Sequence, residues 1–195
     1  MKRPEMKNPI EMNQSRRLKR DQAGLVIIDI QERLLPAMFE KERVVQNAVR
    51  LARGAGVLKI PAFVTEQYRK GLGATVPEVA AAVAGFAPME KTAFSAYGAR
   101  GFGEALEARG VSAAILCGIE AHVCVAQSGL DLLDAGLRVY VVADAVSSRT
   151  PENYRFGIER LRDAGAVVVS TEMVLFELLG EAGSEEFKLI LPLVK

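Results

Sequence analysis

Apolar and polar positions along the chain follow a strand–helix rhythm that begins near residue 24. Short apolar runs rich in β-branched residues, typical of strands buried on both faces, alternate with segments whose apolar residues recur at helical spacing. The predicted strands cover residues 24–29, 57–65, 86–91, 112–118, 138–143 and 166–170. This order predicts an α/β fold of three α/β/α layers, in which helices cover both faces of a six-stranded, mostly parallel sheet.

The same pattern predicts where helices and connections lie. The predicted helices cover residues 40–53, 77–84, 100–109, 124–135, 151–164, 172–180 and 184–190. Gly54 and Gly56 are expected to end the first helix, and Cys124 is expected to begin the fourth. Pro61 indicates an edge position or an irregularity in the second strand. Residues 66–77 are polar and contain glycine, so they are predicted to form a loop.

Length and composition favour one domain of ordinary charge. The chain has 195 residues, of which 50% are hydrophobic, and its 25 basic and 24 acidic residues nearly cancel. A near-neutral charge gives no support to a nucleic-acid or membrane-surface role. No apolar run approaches the roughly 20 residues of a membrane span. The two cysteines do not form a disulfide framework, so a cytoplasmic protein is expected.

The first 21 residues differ from the rest of the chain. They hold seven basic and three acidic residues and show almost no periodic apolar pattern. Such a composition is typical of a loosely held terminus. We therefore predict a flexible basic N-terminal arm over residues 1–21 and a single domain over residues 22–195.

Polar side chains follow the predicted strands at the edge where parallel sheets bind ligands. Asp29 ends the first strand, Thr65 and Glu66 end the second, and Lys91 follows the third. Cys124 comes after the fourth, and Asp144 is expected to end the fifth. The carboxyl ends of parallel strands share one edge, so these side chains are predicted to converge.

Each candidate has a chemical interpretation and a structural alternative. A helix N-terminus would stabilise a Cys124 thiolate and an oxyanion, although free cysteines are often plain core residues. Asp29 is a candidate general base, or else a helix cap or ion-pair partner. Lys91 would favour a nearby thiolate, or it is an ordinary surface lysine. Cys117 lies among apolar neighbours and is expected to belong to the core.

Four segments together resemble the isochorismatase-like cysteine hydrolase superfamily. They are Ile28–Gln31, which ends an apolar strand in Asp-x-Gln, the lysine segment Glu90–Ser95, the cysteine segment Gly118–Val125, and Val142–Arg149. Residues 65–73 are similar in particular to the isochorismatase domain-containing protein branch. The resemblance covers residues 22–190 and implies a Rossmann-like six-stranded sheet.

The resemblance also implies an activity and a site. It implies a catalytic trio of Asp29, Lys91 and Cys124, a cis peptide at Ile119–Glu120, and an oxyanion hole formed by the Glu120 and Cys124 amides. The substrate would be a small amide, imide or ester, hydrolysed through a thioester by a homo-oligomer without a cofactor. The expected substrate pocket comprises Gln31, Glu66, Phe94, Tyr97 and His122.

The metal site of nicotinamidases is not expected in this chain. Those enzymes hold a metal through an aspartate and several histidines after the second strand, whereas residues 66–70 here contain no histidine. His122 is the single histidine of the sequence, and one histidine cannot form a multi-histidine zinc site. Two alternatives to hydrolysis remain open, namely a non-catalytic interaction module and a thiol redox sensor that uses Cys124.

Overall fold

The computed structural model describes residues 17–195, which form a six-stranded sheet in which every neighbouring pair is parallel. The strand order is β3-β2-β1-β4-β5-β6. The strands are β1 (Ala23–Ile28), β2 (Ala62–Gln67), β3 (Met89–Lys91), β4 (Ala113–Ile119), β5 (Arg138–Ser147) and β6 (Val167–Val169). The predicted α/β class and strand number are confirmed.

Helices cover both faces of the sheet and enclose two separate cores. They are α1 (Lys41–Val57), α2 (Arg69–Leu72), α3 (Pro77–Ala82), α4 (Phe102–Ala108), α5 (Ala126–Asp134), α6 (Pro151–Asp163), α7 (Thr171–Leu179) and α8 (Glu185–Val194). Buried side chains of α1, α3, α7 and α8 form one core, and those of α4, α5 and α6 form the other. The sheet therefore is the middle layer of three.

The central strand β1 is buried on both faces, which explains the continuous apolar run in its sequence. β1 pairs with β2 on one side and β4 on the other, and all six of its residues are buried. Successive side chains of a strand point to opposite faces, so Leu25 and Ile27 enter one core while Val26 and Ile28 enter the other. A strand buried on both faces has no polar face to expose.

Two predicted boundaries near α1 and β2 are wrong. α1 continues through Gly54 and Gly56 to Val57. A Cβ at Gly54 would lie 2.3 Å from Cδ2 of Leu175, so this glycine permits close helix packing and does not end the helix. β2 lies between β1 and β3 and is not an edge strand. Pro61 precedes it, and the Pro61 carbonyl accepts the Leu25 amide at 2.9 Å.

Two further segments differ from their predicted conformations. β2 extends to Gln67 and α2 follows, so residues 66–77 are not a continuous loop. Asp144 lies inside β5, which continues to Ser147 because the β4–β5 register shifts between Leu116 and Gly118. The Asp144 carboxylate accepts hydrogen bonds from the backbone amide and hydroxyl of Thr171, at 2.8 and 3.0 Å. It therefore holds the start of α7.

The end of the predicted N-terminal arm belongs to the packed domain. Residues 1–16 lie outside the described residues. Leu18 is buried, and its amide donates to Glu177 at 3.0 Å. The Arg20 guanidinium donates to the Leu58 carbonyl at 2.6 Å and pairs with Glu186 at 2.8 Å. The predicted boundary at residue 22 is therefore too late. Of the helices within residues 17–195, none combines the length and apolarity of a membrane span.

Candidate active site

A buried ion pair lies at the carboxyl edge of the sheet. Asp29 follows β1 and Lys91 ends β3, and β2 separates these two strands. The Lys91 Nζ lies 2.6 Å from Oδ2 of Asp29, and both side chains are 0% exposed. Charges removed from water need close partners, so each group of this pair depends on the other. The predicted convergence of Asp29 and Lys91 is present in the structure.

The Asp29 carboxylate is fixed at both oxygens. The backbone leaves β1 in a left-handed turn at Asp29, where φ is 54°, a region that aspartate tolerates better than most residues. Its amide donates to the Thr65 carbonyl at 3.2 Å. Oδ1 accepts the Thr65 hydroxyl at 2.7 Å, while Oδ2 accepts Lys91. Both contacts hold the carboxylate in one orientation.

The Lys91 ammonium is surrounded by oxygen acceptors. Besides Asp29, Nζ contacts Oε1 of Gln67 at 2.7 Å and the carbonyls of Phe94 and Ala93 at 2.9 and 3.2 Å. An ammonium has three protons, and four acceptors already compete for them. Lys91 is therefore suited to act as a fixed positive charge and not as a proton donor to a substrate.

Cys124 reaches this pair from the other side of β1. β4 ends at Ile119, the Ile119–Glu120 peptide is cis, and a π-helical turn over Ala121–Val125 carries the cysteine. The residue is 5% exposed. The predicted start of a helix at Cys124 is thus replaced by a turn, with α5 beginning at Ala126.

Gly118 allows the end of β4 to approach β1. Its φ is 123°, and a Cβ there would lie 2.0 Å from the carbonyl oxygen of Ile28. No side chain fits that distance, so glycine is required for this contact. The approach brings the cysteine turn beside Asp29, the residue after Ile28.

The surroundings of Cys124 favour the protonated form of its thiol. Burial and then the negative charge of Asp29 raise its pKa from 9.0 to about 12, although the Lys91 charge and a backbone hydrogen bond at Glu120 lower it. Asp29 therefore favours the protonated form of the thiol. These surroundings oppose the resting thiolate that helix position alone would favour. The arrangement instead pairs a thiol with an adjacent proton acceptor.

Comparison with known proteins identifies the family. The isochorismatase domain family matches residues 23–173 of the chain. The chain belongs to the isochorismatase domain family. It is 42% identical over 173 residues to isochorismatase domain-containing protein 2 of Danio rerio, covering 88% of this chain and 86% of the relative. The resemblance inferred from the sequence motifs is confirmed.

Two solved structures share this fold. The MAR1 ribonuclease of Caenorhabditis elegans superposes with a TM-score of 0.87 and 37% identity, covering 91% of this chain and 92% of that one. The YcaC gene product of Escherichia coli, described as an octameric hydrolase of unknown specificity, superposes with a TM-score of 0.81 and 25% identity. It covers 87% of this chain and 85% of its own.

The isochorismatase-family cysteine turn is anchored on both sides. The Cys124 carbonyl accepts the Ser128 hydroxyl at 2.5 Å, and that hydroxyl accepts the Ala96 amide at 2.7 Å. On the opposite side, a Cβ at Gly157 of α6 would lie 2.6 Å from the Ala121 carbonyl. α6 therefore packs directly on the turn, which restricts its movement relative to the ion pair.

Two polar contacts flank the predicted oxyanion hole. The Glu120 carboxylate accepts the backbone amide and Nε of Arg149, at 3.2 and 3.0 Å. His122 Nδ1 lies 2.9 Å from the Ser148 hydroxyl. These contacts tie the cysteine turn to the segment that follows β5. His122, a predicted pocket residue, is half-buried in this turn.

The predicted pocket residues separate into two groups. Phe94 and Tyr97 are 53% and 41% exposed, and the Phe94 carbonyl contacts Lys91, so the segment carrying both aromatics borders the trio. Gln31 is buried, and its amide binds the backbone of Gln67 and Gly73. Gln31, a predicted pocket residue, thus holds the backbone of these two segments in the structure.

Glu66, another predicted pocket residue, also has intramolecular partners in the structure. It is buried, and its Oε1 accepts the amide and hydroxyl of Thr75 at 2.7 and 2.8 Å. Its Oε2 lies 3.1 Å from the Arg69 guanidinium. Arg69 therefore supplies a positive charge to the buried Glu66 carboxylate. Among residues 17–195, no group of three or more His, Cys, Asp and Glu residues has metal-binding geometry.

Sequence reasoning missed the polar residues that support the trio. Thr65 was recognised as a strand end without a role, and Gln67 and Ser128 were not recognised. The alternation of side chains along a strand could have identified Thr65 and Gln67 together. Residues 65 and 67 share one face of β2, whereas residue 66 points to the other. No local pattern marks Ser128, whose contacts join two segments 32 residues apart.

Proposed function

We propose that this chain is a cysteine hydrolase that cleaves a small amide, imide or ester through a thioester intermediate. The observation that carries the proposal is a buried thiol on which both members of the buried Asp29–Lys91 ion pair act electrostatically. A nucleophile in reach of an oriented base is the arrangement that covalent catalysis needs. The isochorismatase-family match and the hydrolase description of YcaC support this reaction class.

The first half of the reaction forms the thioester. Cys124 Sγ transfers its proton to Asp29 as the sulfur attacks the substrate carbonyl carbon. The carbonyl oxygen becomes an oxyanion, which the Glu120 and Cys124 amides bind. The carbon–nitrogen or carbon–oxygen bond then breaks, and the leaving group takes the proton from Asp29. A single oxyanion-hole donor is worth about 3–4 kcal/mol of barrier.

The second half restores the thiol. Asp29 takes a proton from water as the water oxygen attacks the thioester carbon. The carbon–sulfur bond breaks, the acid product leaves, and Cys124 regains its proton from Asp29. Lys91 remains protonated throughout and balances the charge on Asp29 before and after each transfer.

We propose that the protein assembles as a homo-oligomer. Its support is the octameric state described for YcaC. Size-exclusion chromatography with light scattering tests this assignment. A monomer at micromolar concentration would contradict it.

A substrate panel tests the reaction. Purified full-length protein is assayed against small amides, imides and esters, with Cys124→Ala as the matched control. An RNA substrate is included because of the ribonuclease named for the Caenorhabditis elegans relative. We expect turnover of a small carbonyl substrate that the control lacks, together with an acyl-enzyme mass on Cys124.

Three outcomes would contradict the proposal. Equal turnover by Cys124→Ala would exclude the covalent route. Cleavage of RNA without turnover of any small substrate would favour a ribonuclease. Peroxide oxidation of Cys124 without any hydrolysis would favour the redox sensor.

A further inference from the structure

We propose that Thr65 and Gln67, neighbours on one face of β2, are positioning residues that hold the Asp29 carboxylate and the Lys91 ammonium against the Cys124 sulfur. This inference rests on the proposed function, since it concerns the same trio. β2 lies between the strands that carry the two charges, and alternate residues of a strand share a face. The strand therefore offers one residue to each charge.

Thr65 controls the carboxylate. Its hydroxyl donates to Oδ1 of Asp29 at 2.7 Å, and both residues are 0% exposed. Because Lys91 holds Oδ2, Thr65 is the contact that fixes the rotation of the carboxylate about its last bond. The hydroxyl proton also partly neutralises the negative charge of the Asp29 carboxylate. That charge opposes ionisation of the adjacent Cys124 thiol.

Gln67 controls the ammonium. Oε1 accepts Lys91 at 2.7 Å, and Nε2 donates to the Thr92 carbonyl at 2.8 Å, which fixes the amide orientation. The backbone of Gln67 is in turn bound on both sides by the Gln31 amide, at 2.7 and 3.0 Å. Gln67 is therefore a rigid acceptor that helps to keep the Lys91 ammonium beside Asp29.

Both contacts act on the ionisation of Cys124. The charges that face the sulfur are Asp29 from the end of β1 and Lys91 from β3, and Glu120 adds a backbone hydrogen bond. A carboxylate without its hydroxyl donor opposes the thiolate more strongly, and a displaced ammonium favours it less. Loss of either contact therefore reduces the thiolate fraction at a given pH.

Alkylation of Cys124 by iodoacetamide measures this fraction without a substrate. We expect Thr65→Val to slow labelling at pH 8 by about tenfold, which corresponds to about one pKa unit. Gln67→Met removes a contact to Lys91 and not to Asp29, the nearer influence on the sulfur. We therefore expect it to slow labelling of Cys124 by only about threefold. Thr65→Ser restores the hydroxyl and should label within about twofold of the wild-type rate.

Matched controls remove similar contacts elsewhere. Thr171→Val removes a threonine donor from Asp144, and Gln22→Met removes the glutamine acceptor of Arg138, 3.2 Å away. Both should label Cys124 at the wild-type rate. Thermal melts check folding, and Thr65→Ala and Gln67→Ala replace any test variant that does not fold.

Labelling of Thr65→Val and Gln67→Met at or above the wild-type rate would overturn the inference. A loss of rate in the controls equal to that in the test variants would also overturn it, by assigning the effect to general destabilisation. Labelling requires no hydrolysis, so its result is independent of the substrate panel. A silent panel with the expected labelling pattern would reject the hydrolase and keep the positioning role.

Discussion

The two cysteines of this chain lie seven residues apart and are both buried, yet their surroundings differ. Cys117 lies inside β4 among apolar side chains, and desolvation by burial raises its pKa. Cys124 lies in the turn after β4, where Asp29 and Lys91 also act on it. Both are free thiols. Burial alone therefore makes a thiol inert, whereas burial beside an oriented carboxylate gives the thiol a partner for its proton.

Replacing the cysteines one at a time gives the largest contrast. Cys124→Ala removes the proposed nucleophile, so we expect turnover to fall by at least about 10³-fold with little change in stability. Cys117→Ala leaves the trio intact and should retain turnover, at a cost of about 1 kcal/mol in the free energy of unfolding. Steady-state kinetics and urea titration measure both effects. Equal losses of turnover would remove the distinction between the two thiols.

Removing the charges separates labelling from hydrolysis. Asp29→Asn deletes a negative charge that raises the Cys124 pKa, so alkylation at pH 8 should become about tenfold faster. Hydrolysis should nevertheless be lost because the proton acceptor is gone. Lys91→Met should slow alkylation by a similar factor. Slower labelling in Asp29→Asn would contradict the charge argument, and a Cys124→Ala variant measures any labelling that does not occur at Cys124.

Crowding the turn that carries Cys124 should lower turnover less than removing a member of the trio. Gly157→Ala pushes a methyl group against the Ala121 backbone, 2.6 Å away, and displaces the turn that carries Cys124. We expect about a tenfold loss of turnover, since small displacements of reacting groups are costly. Gly56→Ala is the matched control, because an added Cβ there has no neighbour within 4 Å. It should retain activity and stabilise α1 by up to about 1 kcal/mol.

The pH dependence of stability gives the smallest effect. The folded-state pKa of Cys124 lies above its ordinary value of 9.0, at about 12, so folding favours the protonated thiol. That contribution is fully present below pH 9 and is lost as the pH rises toward 12. Between pH 8 and 10 we expect Cys124→Ser to lose about 1 kcal/mol less stability than wild type. The free energy of unfolding is measured by denaturant titration at each pH. An identical change with pH in both proteins would contradict the raised pKa of Cys124.

The sequence predicted the class of the fold because apolar periodicity is a local property. The apolar run of β1 and the apolar stripe of α6 can be recognised from the sequence of each segment alone. The predicted ends of helices and strands were wrong where a contact with a residue distant in sequence sets the true end. α1 passes through Gly54 because Leu175 packs against it, and β5 passes Asp144 because its register with β4 shifts. Neither cause is visible within the segment itself.

The sequence by itself determined the family motifs, the strand–helix order, and Asp29, Lys91 and Cys124 as candidates. The tertiary structure alone decided that their side chains meet and that Thr65 and Gln67 support them. Strand order is the physical reason, since β3-β2-β1-β4 places residues 29, 65, 67 and 91 together across β2 and brings the β4 turn to Asp29 from the other side. Such neighbours arise from long-range packing, which no local pattern in the chain encodes.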